Sequence, residues 1–417
     1  MFKNYICALD IGSSKIAACL VEISGRQISN IFFETQASKG LKRGTIVDSI
    51  ELVEAVGRVL KSLKARSGIK IKAVHTNISG RDIITRHSRA IIPLAERGNK
   101  VITSTDMENC REQAIILGSN IEDEIIHSIP FGYSVDSKSD ISNPLGLYGH
   151  KLEVDLYLIC GRLSYIQTLT HVINQAGCDV KELFFSGLAT SEIVFNEELK
   201  NGVNVICDIG SDIAELLVFK DGQLKDMDIL QIGSSDLTQA ISDSLSVPFE
   251  LAEDIKINYG IIGDPDRIDE QKEILIKKDN SYKPIKQREV SRIINAKADQ
   301  ICAHIKECVI KNLQPNEIKH FVLTGRTMLQ EGFLELLESN FGFPVEFARI
   351  TDPQINSFVN KDPQLSGRKY LTYLTALGLA CKELYGYQPK TLPAKKTSPN
   401  PVLKIIDKAK EVYQEYF

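Results

Sequence analysis

Tryptophan is absent from the 417 residues, and no apolar run approaches the roughly 18 residues that a membrane-spanning helix requires. The opening apolar stretch, Tyr5 to Leu9, is cut short by Asp10 and is no secretory leader, so the expectation is a protein made in the cytoplasm that does not cross the membrane. Histidine is scarce, with 7 residues and no H-E-x-x-H or paired-ligand spacing, which gives no sign of a metal cage. The 9 cysteines are odd in number, and the closest pair, Cys302 and Cys308, lacks C-x-x-C spacing; this favours reduced thiols over a disulfide framework or a zinc site. An excess of positive charge is missing too, with 50 basic residues against 54 acidic, so nucleic acid is not an expected partner. Neither G-x-x-x-x-G-K-S/T nor G-x-G-x-x-G occurs, which excludes the two commonest nucleotide fingerprints.

What is present is a repeat. Ala8-Leu9-Asp10-Ile11-Gly12-Ser13-Ser14-Lys15, continuing to Gly25, and Ile206-Cys207-Asp208-Ile209-Gly210-Ser211-Asp212-Ile213, continuing to Gly222, share one order of features. Each reads as a strand, a tight turn at Asp-Ile-Gly-Ser, a return strand and a second turn at glycine. Two homologous lobes, each opening with a hairpin, are the expectation. Between and after them, apolar periodicity predicts a helix around Ile50 to Leu63, a strand over 71–79, a helix over 106–118, and strands at Ile125–Val135 and Leu152–Ile159. Further on it predicts helices near 235–245 and 250–258, a polar loop over 263–282, a long helix over 286–312, a strand at Lys319–Leu323 and a helix at Leu329–Ser339. Alternating strands and helices indicate an α/β architecture with a substantial parallel component.

The C-terminal stretch changes character. Residues 388–401 are rich in proline and lysine and read as a semi-extended linker. Beyond it Val402, Ile405, Ile406, Val412, Tyr413, Tyr416 and Phe417 fall within an arc of roughly 140° at about 100° per residue, an amphipathic stripe suited either to a membrane surface or to the protein's own body.

A D-x-G-S turn between two strands offers backbone N–H groups to an anion. Two such turns facing one another would clamp a triphosphate, with Gly12, Ser13, Ser14 and Lys15 on one side and Gly210 and Ser211 on the other. Asp10 and Asp208, one from each lobe, stand where a hydrated Mg2+ needs oxygen.

These motifs resemble the actin, Hsp70 and sugar-kinase superfamily and, within it, the FtsA family of bacterial cell-division proteins. The likeness extends through Asn77-Ile78-Ser79-Gly80, Ile129-Pro130 with Asn143-Pro144-Leu145-Gly146, Gly161-Arg162, Gly233 with Leu237-Thr238, Ala252-Glu253-Asp254-Ile255-Lys256, and Tyr373 to Ala380. It implies an actin-like two-lobed α/β fold: lobe I over 1–83 and 164–202, an FtsA-type inserted subdomain over 84–163, lobe II over 203–368, a return to lobe I over 369–387, the linker over 388–401 and a membrane-targeting helix over 402–417. It also implies ATP and Mg as ligands, with Glu253 and Lys256 addressing ribose and base, although an ion pair between these two on a solvated face is an equal reading. Gly325 and Arg326 would form the adenine-side turn. Implied partners are the C-terminal tail of FtsZ, other copies of the chain in filaments, the anionic membrane surface and other division proteins, at the cytoplasmic face of the cell membrane at the division site. The basic run Arg288, Arg292 and Lys297 is a docking candidate for the FtsZ tail, the alternative being a solvated face.

Two residues depart from the family pattern. Asp212 stands in the second turn, where the family typically carries a run of glycines and threonine, and its carboxylate either binds metal, points away or repels phosphate. Arg326 replaces a glycine and either stacks on adenine, reaches a phosphate or blocks the base. With no evident residue to orient an attacking water, weak or absent hydrolysis is expected. A nucleotide-independent scaffold such as a pilus-assembly relative, or a small-molecule kinase of the same superfamily, are the alternative functions.

Overall fold

The computed structural model describes residues 4–385 apart from 26, 96–97, 265–267, 279–280 and 343. The expected linker and terminal helix at 388–417 lie outside the described residues. Lobe I opens with β1 (Asn4–Ile11), β2 (Lys15–Ser24) and β3 (Gln27–Ala37), a small hairpin of β4 (Leu41–Lys42) and β5 (Thr45–Ile46), helix α1 (Ser49–Ser67) and β6 (Ala73–Ile78). The inserted subdomain follows: β7 (Ile83–Pro93), β8 (Lys100–Val101), α2 (Ser104–Gly118), β9 (Asp123–Val135), β10 (Lys138–Ile141), β11 (Tyr148–Gly149) and β12 (Lys151–Arg162). Helix α3 (Leu163–Gln175), β13 (Asp179–Phe185) and α4 (Ser186–Val194) then complete lobe I. Lobe II comprises β14 (Val203–Ile209), β15 (Ala214–Lys220), β16 (Gln223–Leu230), α5 (Ser234–Leu245), α6 (Phe249–Tyr259), β17 (Glu273–Lys278), β18 (Ser281–Lys286), α7 (Gln287–Asn312), β19 (Ile318–Thr324), α8 (Phe333–Phe341), β20 (Glu346–Phe347) and α9 (Pro353–Lys361). Helix α10 (Leu374–Tyr385) returns to pack on α4 and β1.

The repeat seen in the sequence is a repeat of topology. One sheet runs β13-β6-β1-β2-β3 and the other, in the same sense, β20-β19-β14-β15-β16. In each, a three-stranded antiparallel meander is extended by two parallel strands on the side of its first strand. Because successive side chains of a strand face opposite ways, β1 feeds two cores. Cys7 and Leu9 pack under α1 and α3, while Ile6 and Ala8 face the larger core shared with α4 and α10. Burial on both faces is why β1 and β2 read as unbroken apolar runs. Helix α1 is stopped at both ends by its sequence: Asp48 accepts from the Glu51 N–H at 3.0 Å, and Gly68, at φ 72°, donates to the Lys64 carbonyl.

The insert has its own sheet, β10-β9-β12-β7, and a core in which Met107, Cys110 and Ala114 of α2 meet Leu152, Val154 and Leu156 of β12. Two expectations require correction. The polar loop over 263–282 contains β17, which pairs with β18 as a hairpin burying Ile274 and Ile276. The helix expected at Leu329–Ser339 is instead a 3-10 turn at Arg326–Leu329 and then α8; Gly332, at φ 84°, holds a left-handed conformation that an α-helix cannot continue through.

Candidate nucleotide cleft

The two Asp-Ile-Gly-Ser turns close in the same way. The Gly12 N–H donates to the Lys15 carbonyl at 2.9 Å, and the Gly210 N–H donates to the Ile213 carbonyl at 2.9 Å. Each glycine amide is therefore spent on its own turn, which leaves Ser13 and Ser14 at one tip and Ser211 and Asp212 at the other. The second turn is buttressed from behind: Ser234 and Ser235 at the start of α5 donate N–H groups to the Gly210 and Ser211 carbonyls, and Thr327 Oγ1 donates to the Gly210 carbonyl. Gly233 makes this contact possible, because a Cβ there would lie 2.2 Å from the Ser211 carbonyl oxygen.

Both turns line one cleft between the lobes, together with Asn77, Ser79, Ser186, Glu215, Gly325 and Arg326. Its cavity is about 120 Å3. That volume suits a phosphate or a hydrated ion but falls below the roughly 300 Å3 of a drug-sized ligand pocket. The floor is acidic. Asp10 is held by Lys15 Nζ at 2.8 Å and by Asn77 Nδ2 at 2.8 Å, and Asn77 also accepts from the Ile11 N–H. Lys15 further donates to the Thr372 carbonyl, so its charge is already engaged. Burial, and next the Asp10 carboxylate, push Asp208 up to about 6.

Glu215 is the functional candidate that sequence reasoning missed. It is the cross-strand partner of Asp208, just as Ala17 is the partner of Asp10 in lobe I. It is only 4% exposed; Ser79 of lobe I donates to its Oε1, and its Oε2 has no hydrogen-bond partner among the described residues. Burial and then the Asp208 carboxylate push it up to about 8. Two acids directly opposite on adjacent strands are destabilising unless a proton or a cation lies between them. The donor atoms of Asp10, Asp208 and Glu215 are not gathered closely enough to ligate one ion directly, so a divalent cation here would be held through its water shell. A carboxylate on the strand Ala214–Lys220, whose other positions are apolar apart from the terminal lysine, is the signal that would have found it.

Asp212 does not point away from the cleft. Its Oδ2 accepts from the Arg43 N–H of lobe I at 2.7 Å, and its Oδ1 accepts from Ser235 Oγ at 2.6 Å. Arg326 is exposed at the cleft wall. Glu253 and Lys256 do not line the cleft. Lys256 is buried and donates to Glu253 at 2.6 Å, to Thr238 Oγ1 at 2.8 Å and to the Ser234 carbonyl at 3.1 Å, so the pair ties α6 to α5. Burial lowers the Lys256 pKa against the pull of Glu253.

The basic run is not one patch. At about 100° per residue, Arg288 and Arg292 lie roughly 40° apart on α7, but Lys297 lies roughly 140° beyond Arg292. Arg288 is half-buried and paired with Glu270, and Lys306 donates to the Asn340 carbonyl at 2.6 Å.

A family model described as "Cell division protein FtsA" matches residues 205–378, and one described as "SHS2 domain inserted in FTSA" matches residues 80–160. Curated relatives named cell division protein FtsA include that of Borreliella burgdorferi, 28% identical over 88% of this chain and 89% of the relative. Those of Neisseria meningitidis (26%, covering 82% of this chain and 83% of the relative) and Bacillus subtilis (25%, covering 90% and 83%) are similar. Among solved structures, a chain of a "PilM-PilN type IV pilus biogenesis complex" superposes with a TM-score of 0.60 at 18% identity, covering 91% of this chain and 98% of that one. MreB5 of Spiroplasma citri bound to ADP superposes with a TM-score of 0.50 at 11% identity, covering 91% and 98%. The duplicated sheets, the facing turns and the separate insert thus coincide with sequence likeness along most of the chain, and the protein belongs to the FtsA family of actin-like cell-division proteins.

Proposed function

We propose that the protein binds Mg-ATP between its lobes, hydrolyses it weakly or not at all, assembles into filaments and tethers FtsZ to the cytoplasmic face of the cell membrane at the division site. The observation that carries the nucleotide reading is the convergence of two like-built turns, each flanked by an acid from its own lobe, on one polar cleft. Structures of MreB5 with ADP and with AMPPNP, which share this fold, support it. A bound Mg2+ would supply charge to neutralise phosphate. Within the chain, Asp10, Asp208 and Glu215 would hold the ion's water shell, while Ser13, Ser14 and Ser211 would orient phosphate oxygens. Arg326 would contact the nucleotide from the cleft wall.

The tether would be the stripe Val402, Ile405, Ile406, Val412, Tyr413, Tyr416 and Phe417 on its linker. One such helix binds reversibly, and a filament of many binds strongly by avidity. The FtsZ tail would dock on lobe II along the side of α7 that carries Arg288 and Arg292. Cosedimentation with anionic vesicles tests the tether: the intact chain should pellet under assembling conditions, whereas truncation after Gln388 or Ile406→Glu should leave it in the supernatant. Equal pelleting of all three forms would mean that the helix is not the anchor. A nucleotide-independent scaffold is the second reading, and it is favoured by Asp212.

A further inference from the structure

Asp212 makes an unusual bridge. Its two carboxylate oxygens are divided between the lobes: Oδ2 takes the Arg43 N–H of the β4–β5 hairpin, and Oδ1 takes the Ser235 hydroxyl at the head of α5. Beside this bridge the lobes touch closely, since a Cβ added to Gly44 would lie 2.7 Å from Ile213 Cδ1. Gly44 also donates its N–H to Ser13 Oγ at 3.3 Å, so the same hairpin ties Asp212 to the tip of the first turn. Arg43 occupies φ 49°, a region costly for a residue with a side chain, and the Asp212 carboxylate engages the amide of that residue. An anion held by a backbone amide of one lobe and a hydroxyl of the other is the role that facing turns would offer to a phosphate.

We propose that Asp212 is a built-in anion that joins the two lobes in place of a terminal phosphate, holding the cleft shut without nucleotide and competing with the triphosphate for the Ser211 hydroxyl, which donates to its Oδ1 at 3.5 Å. Nucleotide entry then requires Asp212 to release Arg43, and the incoming phosphate meets a carboxylate of like charge unless it does so. The competition arm of this proposal rests on the nucleotide reading given above; the closure arm does not.

The experiment uses the full chain and two variants, Asp212→Gly and Asp212→Asn, the latter keeping an acceptor without the charge. Amide hydrogen exchange without nucleotide reads closure, and titration calorimetry with Mg-ATP reads competition. The Arg43 amide of the parent should be protected, and Asp212→Gly should remove that protection and raise Mg-ATP affinity by about tenfold or more, the scale of one hydrogen bond to a charged group. Asp212→Asn should keep much of the protection with a smaller gain in affinity. An exposed Arg43 amide in the parent, or unchanged affinity in a folded Asp212→Gly that binds detectably, overturns the proposal. If no form binds Mg-ATP, the nucleotide reading fails, while loss of Arg43 protection in Asp212→Gly still supports the closure. Should Asp212→Gly not fold, the parent's Arg43 protection and the affinity of Asp212→Asn decide, and an affinity equal to the parent's counts against competition.

Discussion

Gly325 fixes where Asp208 sits. At φ 93°, and with a would-be Cβ 2.3 Å from the Ile209 carbonyl oxygen and 2.5 Å from Asp208 Oδ1, no side chain fits without moving the acid or straining the turn. Gly325→Ala should destabilise the protein by about 2 kcal/mol or more, the combined scale of an unfavourable backbone region and overpacking, read as a lower melting temperature. Arg326, next in sequence but exposed, should behave oppositely: Arg326→Ala leaves melting unchanged and alters only Mg-ATP affinity. Equal melting shifts for the two would show that the turn does not separate structure from binding. The sequence made Asp10 and Asp208 visible because a turn and its flanking acid are local, whereas Gly325 entered through the resemblance to the FtsA family. Glu215 was hidden because its meaning is relational. It matters as the cross-strand partner of Asp208, in the register that holds Ala17 in the other lobe, and register is set only once the strands pair.

Elements were legible where local periodicity decided them and lost where tertiary placement did. Helix α1 emerged from apolar spacing over Ile50 to Leu63, and the structure adds its Asp48 cap and Gly68 stop. The β17–β18 hairpin did not, because lysines and a proline mask an alternation in which Ile274 and Ile276 are buried while Leu275 between them is exposed. Likewise the charge run on α7 looked contiguous in sequence, but only the direction of the core, set by Val290, Ile294 and Ala298, divides it into two sides. Contacts between elements carry a pH prediction. His127 of β9 is half-buried, lies edge-on to Phe184 and accepts the Phe185 N–H at 2.9 Å, joining the insert to lobe I. Burial, and then Lys382, hold it down at about 3 instead of 6.5. Between those values the unfolded chain takes up a proton that the folded one does not, so stability present above pH 6.5 is lost as pH falls towards 3. Denaturant titrations from pH 4 to 7 should show this slope, and His127→Gln, which keeps an acceptor without titrating, should flatten it by up to about 1.4 kcal/mol per pH unit. Parallel slopes for parent and variant would remove His127 from the acid response.

At the scale of the molecule, the insert is attached in a way that predicts its removal will be tolerated. Its first strand begins at Ile83 and its last passes Gly161, and these two residues are direct antiparallel partners, so the chain leaves and re-enters lobe I at adjacent points. Replacing 84–160 with a short glycine-serine linker therefore asks for no change in the path of β6 or α3. The cost lies in packing. Tyr157 and Ile159 belong to the main core, and Lys225 of lobe II donates to the Phe131 carbonyl at 3.0 Å and sits 4.4 Å above that ring. At about 1.5–3 kcal/mol per buried side chain, losing Tyr157 and Ile159 removes about 3–6 kcal/mol, which should lower melting by roughly 5 °C for a body of this size. The Asp-Ile-Gly-Ser turns, Glu215 and Asp212 are all built from lobe residues, so Mg-ATP affinity should stay within about threefold of the parent. Circular dichroism melting and calorimetry on the deleted form test both halves. Loss of cooperative unfolding would show that the lobes need the insert as part of one folding unit, and a collapse of affinity in a folded deletion would show that the insert, through Ser79 at its root, sets the geometry of the cleft.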